Sequence, residues 1–600
     1  MRSPSLLFHF AAAAVAFLLG ADVAAQSSPN VLVVANSDSA ASLEVATYYA
    51  QQRSIPSSQI LKIPTSVTDE ITRAVYVQQI ERPIANWLGQ NGAQDRIHFI
   101  VLTKGIPLRI QGTSGTQATT ASVDSELTLL YRKLAGATIP EAGPFRNPYF
   151  AGETNPGAAF FTHKNHDVYL VTRLDGFTVS DVKKLIDRGL SPTTEPRPIL
   201  LKTMDTTAGA VGDKWLYTAA MRVNETPGWD RQAVAATSAP KEAKTPVLGY
   251  FSWGSNDPAS RVAPENVPFA PGAIGSTFVS TDARTFEPPP DSWLPGQPYK
   301  GSNQSLTGTL IRDGITAVAG NVFEPFLNAA VRPDVLFPAY IKGANIAEAF
   351  YMALPYLSWQ SVVIGDPLVA PFRKGSVPAD QLDPPIDKTT ELPAFLSERR
   401  VANLSSSTVS PEAARQFVRA DSRLRRSDVD GARLALETAT RLSPQFAVAH
   451  LTLASIYEQT GRFDDAFERY LVLQKIQPDN PIVLNDLAFA LAVRKNAPKE
   501  ALPLATRAYK LAPNSPNISD TLGWIHHLLG DDKTAEPLVV AAVKGAPNNA
   551  EILLHAAIVF GANGKFREAT QLLNRARSID KTLDQRLEAR TLQRQLETAK

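Results

Sequence analysis

The 600-residue sequence contains no cysteine. This absence excludes disulfides, thiolate metal ligands and a cysteine nucleophile from the chemistry of the protein. The sequence also lacks an excess of charge of one sign. It has 60 Lys and Arg residues and 58 Asp and Glu residues, which gives a net charge of +2. A chain so balanced has no broad field to attract nucleic acid, and we expect no nucleic-acid partner. Walker, Gly-x-Gly-x-x-Gly and His-Glu-x-x-His motifs are also absent, and we expect no cofactor.

Long apolar runs are lacking, with one exception at the N-terminus. Residues 1–25 combine the positive Arg2, an apolar stretch over residues 6–19 and the small residues Val23, Ala24 and Ala25. This pattern predicts a signal peptide that is cleaved after Ala25, and therefore an exported protein of the periplasm or the extracellular space. The apolar stretch is shorter than the roughly 20 residues that span a bilayer. We expect no membrane span after cleavage, and a retained N-terminal anchor is the alternative.

A chain of 600 residues is too long for a single hydrophobic core, because such cores stop growing at roughly 250 to 300 residues. The last third shows where the division falls. Prolines recur there at a spacing of 34 or 35 residues, at Pro444, Pro478, Pro513 and Pro547. A fixed period of about 34 residues resembles that of the tetratricopeptide repeat, a pair of antiparallel helices. The sequence therefore predicts an all-α repeat solenoid in the C-terminal third.

Small and large residues occupy the packing positions of this repeat. Helices cross closely at small residues, and large residues fill the groove beside them. The predicted packing residues are Leu453, Ala454, Tyr457, Ala466, Tyr470, Pro478, Gly523, Ala535 and Pro547. We predict about five repeats over residues 411–581 and a capping helix over 582–600. Arrays of this kind bind proteins or peptides, so the resemblance implies a protein partner.

The residues before the array divide into a linker and a second domain. Residues 373–410 are rich in Pro, Asp and Thr without a sustained period, which is typical of a linker. Within residues 26–372, apolar runs of strand length alternate with helical patterns. Five such runs are NVLVVANS, RIHFIVLTKG, RPILLKTM, VLGYFSWG and GITAVAGN. Continuous apolar strands separated by helices predict an α/β domain with a parallel sheet covered on both faces.

Polar residues follow these strands, and in a parallel sheet the carboxyl ends meet at one edge. We therefore expect a shared rim around one cleft. Its predicted ligand-binding residues are Trp253, Gly254, Ser255, Asn256, Asp257 and Asn321, and its candidate catalytic residues are Lys104, Asp124, Glu126, Asp257 and Glu324. Asp124 and Glu126 share a side only if their stretch is extended, because on a helix they diverge. The alternative is that these residues form ordinary turns, in which case Trp253 is buried in apolar packing.

A histidine pair offers a further hypothesis for this domain. His163 and His166, three residues apart, could hold a metal together with Asp167. No third ligand is evident elsewhere, and we predict no metal site.

Seven motifs together resemble an uncharacterised exported bacterial family that is associated with genomes carrying the exosortase sorting system. They are NVLVVANSDSAASLEVATYYAQQRSIP, VLTKGIPLRI, ASVDSEL, YLVTRLDG, GYFSWGSND, GITAVAGNVFEPF and NIAEAFYMALPYLSWQSVVIGDPLVAPF. More remotely, their order is similar to that of gingipain-type peptidases of the caspase-like fold, which carry a His after one strand and a nucleophilic Cys after the next. The corresponding positions hold Trp253 and, near the second, Asn321. Both required groups are absent, so the resemblance implies a caspase-like fold without thiol catalysis.

Two functions remain open from the sequence. The first is an exported binding and scaffold protein, whose array recruits a protein partner. The alternative is an envelope hydrolase that uses the carboxylates and Lys104 of the rim as acid and base. The sequence does not decide whether the protein is an enzyme, and it does not give the oligomeric state.

Overall fold

The computed structural model describes residues 23–140, 142–152, 160–237, 245–261 and 267–598. The chain divides into two compact units. The first contains the residues up to 388 together with 392–403, and the second contains 389–391 together with the residues from 404 onward. Residues 1–22 of the predicted signal peptide lie outside the described residues.

A ten-stranded sheet forms the centre of the first unit. In chain order its strands are β1 Val31–Asn36, β2 Ile60–Ile63, β3 Phe99–Thr103, β4 Leu170–Leu174, β5 Ile199–Lys202, β6 Ala233–Ala236, β7 Val247–Ser252, β8 Phe269–Thr277, β9 Ala317–Asn321 and β10 Ser361–Ile364. Their order across the sheet is β6-β5-β7-β8-β9-β10-β4-β3-β1-β2. The five predicted strands are among them, and the remaining five were not identified as strands.

The sheet is mixed, although most of its neighbours are parallel. β9 and β10 pair antiparallel, with Val318 opposite Ile364 and Asn321 opposite Ser361. Every other pair of neighbours in this sheet is parallel. The strands β5 to β9 therefore run in one direction, and β1 to β4 run with β10 in the other. The expectation of a purely parallel sheet is wrong at this one junction.

Helices cover both faces of the sheet. The side chains of the central strands are accordingly buried on both faces. All six residues of β1 are buried, and so are all five of β3 and of β4. The longer helices of this unit are Ala40–Arg53, Arg82–Gln90, Val179–Leu190, Ala210–Asn224, Thr307–Asp313, Pro333–Ile341, Ile346–Ala353 and Ala394–Leu404. One large hydrophobic core runs through the layers and includes Val33, Val101, Phe251 and Phe350.

The predicted linker at 373–410 is instead mostly structured and belongs to the first unit up to residue 403. The backbone N–H groups of Phe395 and Leu396 donate to the carboxylate of Asp95. The Asn403 amide donates to the carbonyl of Ala135 at 3.0 Å. Proline and aspartate are abundant here because they lie at the ends of short helices and strands. A flexible linker has a similar composition, so the sequence alone does not distinguish the two.

The second unit is a series of paired helices. They are α1 Pro411–Arg425, α2 Val429–Leu442, α3 Ala447–Gln459, α4 Phe463–Ile476, α5 Pro481–Phe489, α6 Pro498–Leu511, α7 Pro516–Leu528, α8 Asp532–Gly545, α9 Ala550–Ala562, α10 Phe566–Ile579 and α11 Leu587–Thr598. A π-helical turn, Ala490–Arg494, continues α5. Among the described residues of this unit there are five helix pairs, and α11 packs on the last of them.

The small residues of the repeats lie where their helices cross. Ala454, Ala466 and Ala535 have no exposed surface, and Leu453 and Tyr457 are also buried. A Cβ atom at Gly523 would lie 2.9 Å from a methyl group of Val539, so this crossing requires glycine. Tyr470 is buried as well.

The two prolines among the predicted packing residues have a different role. Pro478 and Pro547 are exposed. Each follows two residues after a helix ends, α4 at Ile476 and α8 at Gly545. Since proline cannot continue a helix, these residues terminate repeats and do not pack between them.

No helix within the described parts of the chain combines the length and the apolar character that crossing a bilayer requires.

Leu453 and Leu451 provide a matched test of the repeat packing, because both lie on α3. Leu453 is 1% exposed and Leu451 is 37% exposed. We expect Leu453→Ala to reduce the free energy of unfolding by about 2 to 5 kcal/mol, the cost of a buried cavity. Leu451→Ala should change it by less than about 0.5 kcal/mol. Urea unfolding of the full chain, followed by circular dichroism, measures both. Equal effects of the two substitutions would contradict this packing.

Candidate functional site

The reversal of the sheet separates the residues that were predicted to share one rim. Lys104 follows β3, whose carboxyl end lies at one edge of the sheet. Trp253 follows β7 and Glu324 follows β9, and these two strands run in the opposite direction. Their carboxyl ends consequently lie at the other edge. The prediction of a single shared rim is wrong for this reason.

Two of the charged candidates, Lys104 and Asp124, belong to one network of ion pairs. Lys104 donates to the carbonyl of Gly176 at 2.7 Å and forms an ion pair with Asp175 at 3.2 Å. The carboxylate of Asp124 is buried against the guanidinium of Arg173 at 2.6 Å. Burial alone would lower the pKa of Arg173, but attraction to Asp124 and Asp175 raises it above its ordinary value. Because Asp175 also pairs with Arg173 at 3.2 Å, the network links Lys104 to Asp124, and only Lys104 in it is partly exposed. These ion pairs stabilise the fold.

Glu126 points away from Asp124, because both lie on the short helix Val123–Leu127. The Glu126 carboxylate accepts a hydrogen bond from Ser358 at 2.6 Å and pairs with Arg73 at 3.1 Å. It has no exposed surface. The helical alternative for this stretch is therefore correct, and the two carboxylates do not act together.

Trp253 is a core residue and does not bind a ligand at the rim. Its side chain is 7% exposed and lies 4.7 Å from the ring of Phe278, centroid to centroid. The indole N–H donates to Asp213 at 2.7 Å. A Cβ atom at Gly212 would lie 2.5 Å from the indole ring, which shows how closely the helix approaches it. The alternative interpretation of this loop, a turn anchored by a buried tryptophan, is correct for Trp253.

The residues after Trp253 form a hydrogen-bonded turn, Gly254–Asn256. The Ser255 hydroxyl accepts from the backbone N–H of Ser305 at 2.9 Å, and the Asn256 amide donates to the carbonyl of Phe278 at 2.5 Å. Asp257 forms an ion pair with Lys202 at 3.1 Å. This loop is therefore held by the segments that follow β8 and by the end of β5.

Asn321 and Glu324 do not converge with Asp257 on a common partner. The Asn321 amide donates to the carbonyl of Val279 at 3.1 Å and accepts from the Ser361 hydroxyl at 2.9 Å, across the antiparallel junction. Glu324 accepts from the backbone N–H of Phe326 at 2.9 Å. The two contacts of Asn321 join segments that are distant in the sequence, and the contact of Glu324 stabilises the chain locally.

A small cavity of about 80 Å³ lies at the carboxyl ends of β7 and β8. Several hydroxyl groups line it beside apolar side chains, among them those of Tyr250, Ser252 and Thr277. Asp282 also lines it and is 2% exposed. Burial raises the pKa of Asp282 to about 6, although the backbone N–H of Asn321 donates to it at 2.8 Å. A carboxyl group with this pKa can exchange protons near neutral pH.

Asp282 is absent from the residues that the sequence identified, because β8 was not recognised. The strand contains Pro271, Gly272 and Gly275, which interrupt its apolar character. The available signal was the run AIGSTFV, which precedes the polar STDAR in the same way that other strands precede polar loops.

The histidine hypothesis fails on the contacts of its members. His163 is fully buried, and a ring nitrogen lies 2.8 Å from the carbonyl of Ile97. Burial lowers the pKa of His163 well below its ordinary value and that of His166 to about 4. Asp167 is paired with Arg132 at 2.6 Å. Within the described residues, no group of three or more His, Asp or Glu side chains is arranged to hold a metal.

A larger groove lies in the second unit and has a volume of about 860 Å³. We refer to it as the repeat groove. Its wall includes residues from the π-helical turn and from α7, α9, α10 and α11. Exposed apolar side chains contribute to it, with Leu528 and Phe566 each 41% exposed and Leu587 66% exposed. This combination of size and exposed apolar surface is typical of a binding site.

Trp524 forms part of the wall and packs against a partly buried charged network. Its ring stacks on that of His555, with centroids 4.1 Å apart. His555 lies 2.8 Å from Asp520 and 3.2 Å from Glu551, and Arg586 also donates to Glu551. Burial alone would lower the pKa of His555, but these two carboxylates raise it to about 9. The imidazole is therefore charged at neutral pH and ties the segment before α11 to α7 and α9.

Comparison with known proteins identifies the helix pairs. A model of the tetratricopeptide repeat family matches residues 417–481. The C-terminal unit carries tetratricopeptide repeats. The TPR repeat-containing protein PA4667 of Pseudomonas aeruginosa is 37% identical over 79 residues, which are 13% of each chain. This chain thus spans only a small fraction of that relative's length.

Solved structures are also similar over the repeats. YrrB, a TPR protein with an unusual peptide-binding site, is 19% identical, and the match covers 30% of this chain and 92% of that one with a TM-score of 0.25. PilW, a type IV pilus biogenesis factor, is 20% identical, with 31% and 92% covered and a TM-score of 0.26.

The charged network predicts a specific dependence of stability on pH. Because its folded pKa of about 9 exceeds the unfolded value of about 6.5, His555 stabilises fully below pH 6.5 and progressively less as pH rises through 9. We expect the free energy of unfolding to fall by about 3 kcal/mol over this range. His555→Gln should remove this loss in urea unfolding of the full chain. An equal loss in the variant would contradict the assignment.

Proposed function

We propose that the protein is an exported scaffold that recruits a protein or peptide partner through the repeat groove. The observation that carries this proposal is the exposure of Leu528, Phe566 and Leu587 in a groove of about 860 Å³. Tetratricopeptide arrays commonly provide extended binding surfaces of this kind. Apolar side chains in a groove gain free energy when a partner covers them.

The charged network supports a preformed groove. Trp524 cannot move freely while its ring is stacked on the charged His555, which is itself held by Asp520 and Glu551. A fixed wall lowers the entropy cost of binding, because less ordering is needed when the partner arrives.

Leu528 and Leu511 provide a matched test of the repeat groove. Leu528 lines it, whereas Leu511 ends α6, does not line it and is 48% exposed. We expect Leu528→Asp to reduce capture of the partner at least tenfold in a cross-linked pull-down from a native envelope extract, because it places a charge in an apolar site. Leu511→Asp should leave capture unchanged. If the two variants capture the same proteins to the same extent, the groove is not the binding site.

For the first unit, we propose a caspase-like domain of the exosortase-associated family that lacks thiol catalysis. The arrangement of β7 and β8 supports this assignment, because they are neighbours in the sheet. In the gingipain-type peptidases, the catalytic groups follow two successive strands. Trp253 follows the first strand, and the segment containing Asp282 follows the second. The second position is thus better assigned near Asp282 than near Asn321.

We also propose that the protein is exported through a cleaved signal peptide. Gln26, the first residue after the predicted cleavage site, is buried, and its amide donates to the carbonyl of Phe161 at 2.8 Å. The folded structure already includes Val23 and Ala24, which pair with Pro378 and Val377, so it begins slightly before the predicted cleavage site.

The alternative function, a hydrolase, is favoured by one observation, the buried Asp282 with its pKa near 6. If Asp282 acts as an acid or base, hydrolysis of peptide or ester substrates should show an inflection near pH 6, and Asp282→Asn should abolish turnover. Glu324→Gln is the control, because Glu324 lies outside the cavity. Turnover that persists in Asp282→Asn would remove this alternative.

A further inference from the structure

A row of arginines marks one side of the first helix of the array. Arg419, Arg423 and Arg426 are spaced by four and three residues, which places them on one face at the end of α1. All three are partly exposed, with 33%, 23% and 57% of their side chains accessible. We refer to these residues as the arginine cluster.

All three guanidinium groups converge on one carboxylate, that of Glu391. Arg419 donates to it at 3.2 Å and Arg423 at 2.8 Å, and Arg426 donates to its other oxygen. Burial would raise the pKa of Glu391, but the hydrogen bonds from the three arginines outweigh it and lower the pKa below the ordinary value. Glu391 thus stays ionised and seated in the cluster.

One carboxylate does not match the charge of three guanidinium groups. Among the described residues, the next acid at the cluster is Asp428, whose carboxylate lies 3.7 Å from Arg423. Each guanidinium has a planar fork that suits a carboxylate, with two donors for two oxygens. The first repeat of an array needs a polar outer face to remain soluble, but this requirement does not call for any particular arrangement of charges. Three guanidinium groups that converge on a single acidic side chain form a more specific arrangement. This arrangement is suited to binding a carboxylate.

We propose that the arginine cluster is a binding site for an acidic peptide segment of a partner protein, and that residues 389–391 occupy it as a built-in competitor. The site is separate from the repeat groove, and the proposal holds or fails independently of it. Glu391 indicates which ligand the cluster would bind, namely a glutamate side chain on a segment without regular secondary structure. Because this competitor is tethered, its effective concentration is of the order of millimolar, and a free peptide must displace it.

The test uses a fluorescein-labelled peptide with the sequence of residues 388–394, KTTELPA, and fluorescence polarisation on the full chain. We expect Glu391→Gln to bind this peptide at least tenfold more tightly than the unsubstituted protein, because the competitor has lost its charge. Adding Arg423→Ala to that variant should abolish binding. Adding Arg415→Ala instead should preserve it, because Arg415 lies on the same helix but pairs with Glu412. The peptide KTTQLPA should not bind.

Three outcomes would overturn the proposal: equal binding by Glu391→Gln and the unsubstituted protein, binding that survives Arg423→Ala, or equal binding of the KTTQLPA peptide. Glu391→Asp provides a second test if Glu391→Gln fails to fold. It retains the charge on a shorter side chain and should bind the peptide with intermediate affinity, whereas no gain in affinity would contradict the competitor role.

Discussion

The antiparallel pairing of β9 with β10 determines where chemistry can assemble in the first unit. A purely parallel sheet brings all its carboxyl ends to one edge, and its polar loops then surround one cleft. Here the reversal places the ends of β1, β3 and β4 opposite those of β7, β8 and β9. A site built directly at the strand ends therefore draws on one group of strands, whereas longer loops from both groups meet, as where Arg109 donates to the carbonyl of Val322 at 3.0 Å. The cavity with Asp282 follows this rule, since it forms at the ends of β7 and β8.

The repeats were predictable from the sequence because each one carries its own pattern. Ala454 and Ala466 lie on the two helices of one pair and are both fully buried, and the repeat prolines recur every 34 or 35 residues. The sheet could be predicted only in part. An apolar run such as β1 is visible locally, but β8 is interrupted by Pro271 and two glycines. The direction of β10 depends on pairing with β9, about 40 residues earlier, and no local pattern encodes it.

The candidate site was harder to predict than the fold, because side chains of one type serve different roles. Asp124, Asp257 and Asp282 are all aspartates near a strand or a polar loop. Asp124 meets the guanidinium of Arg173 and Asp257 meets Lys202, so both have a cation within 3.2 Å. For Asp282, burial dominates, and its pKa rises. The difference arises from tertiary neighbours, which the sequence does not display.

The same balance between burial and charge distinguishes the histidines of the two units. His163 and His166 have lowered pKa values, because burial is not compensated by a sufficient negative charge. His555 is equally buried, but Asp520 and Glu551 raise its pKa to about 9. A charged residue can lie beneath a groove only if its partners stay in place, so the network fixes Trp524 and the start of α11 together. The wall that a partner meets is consequently part of the fold and does not need to form on binding.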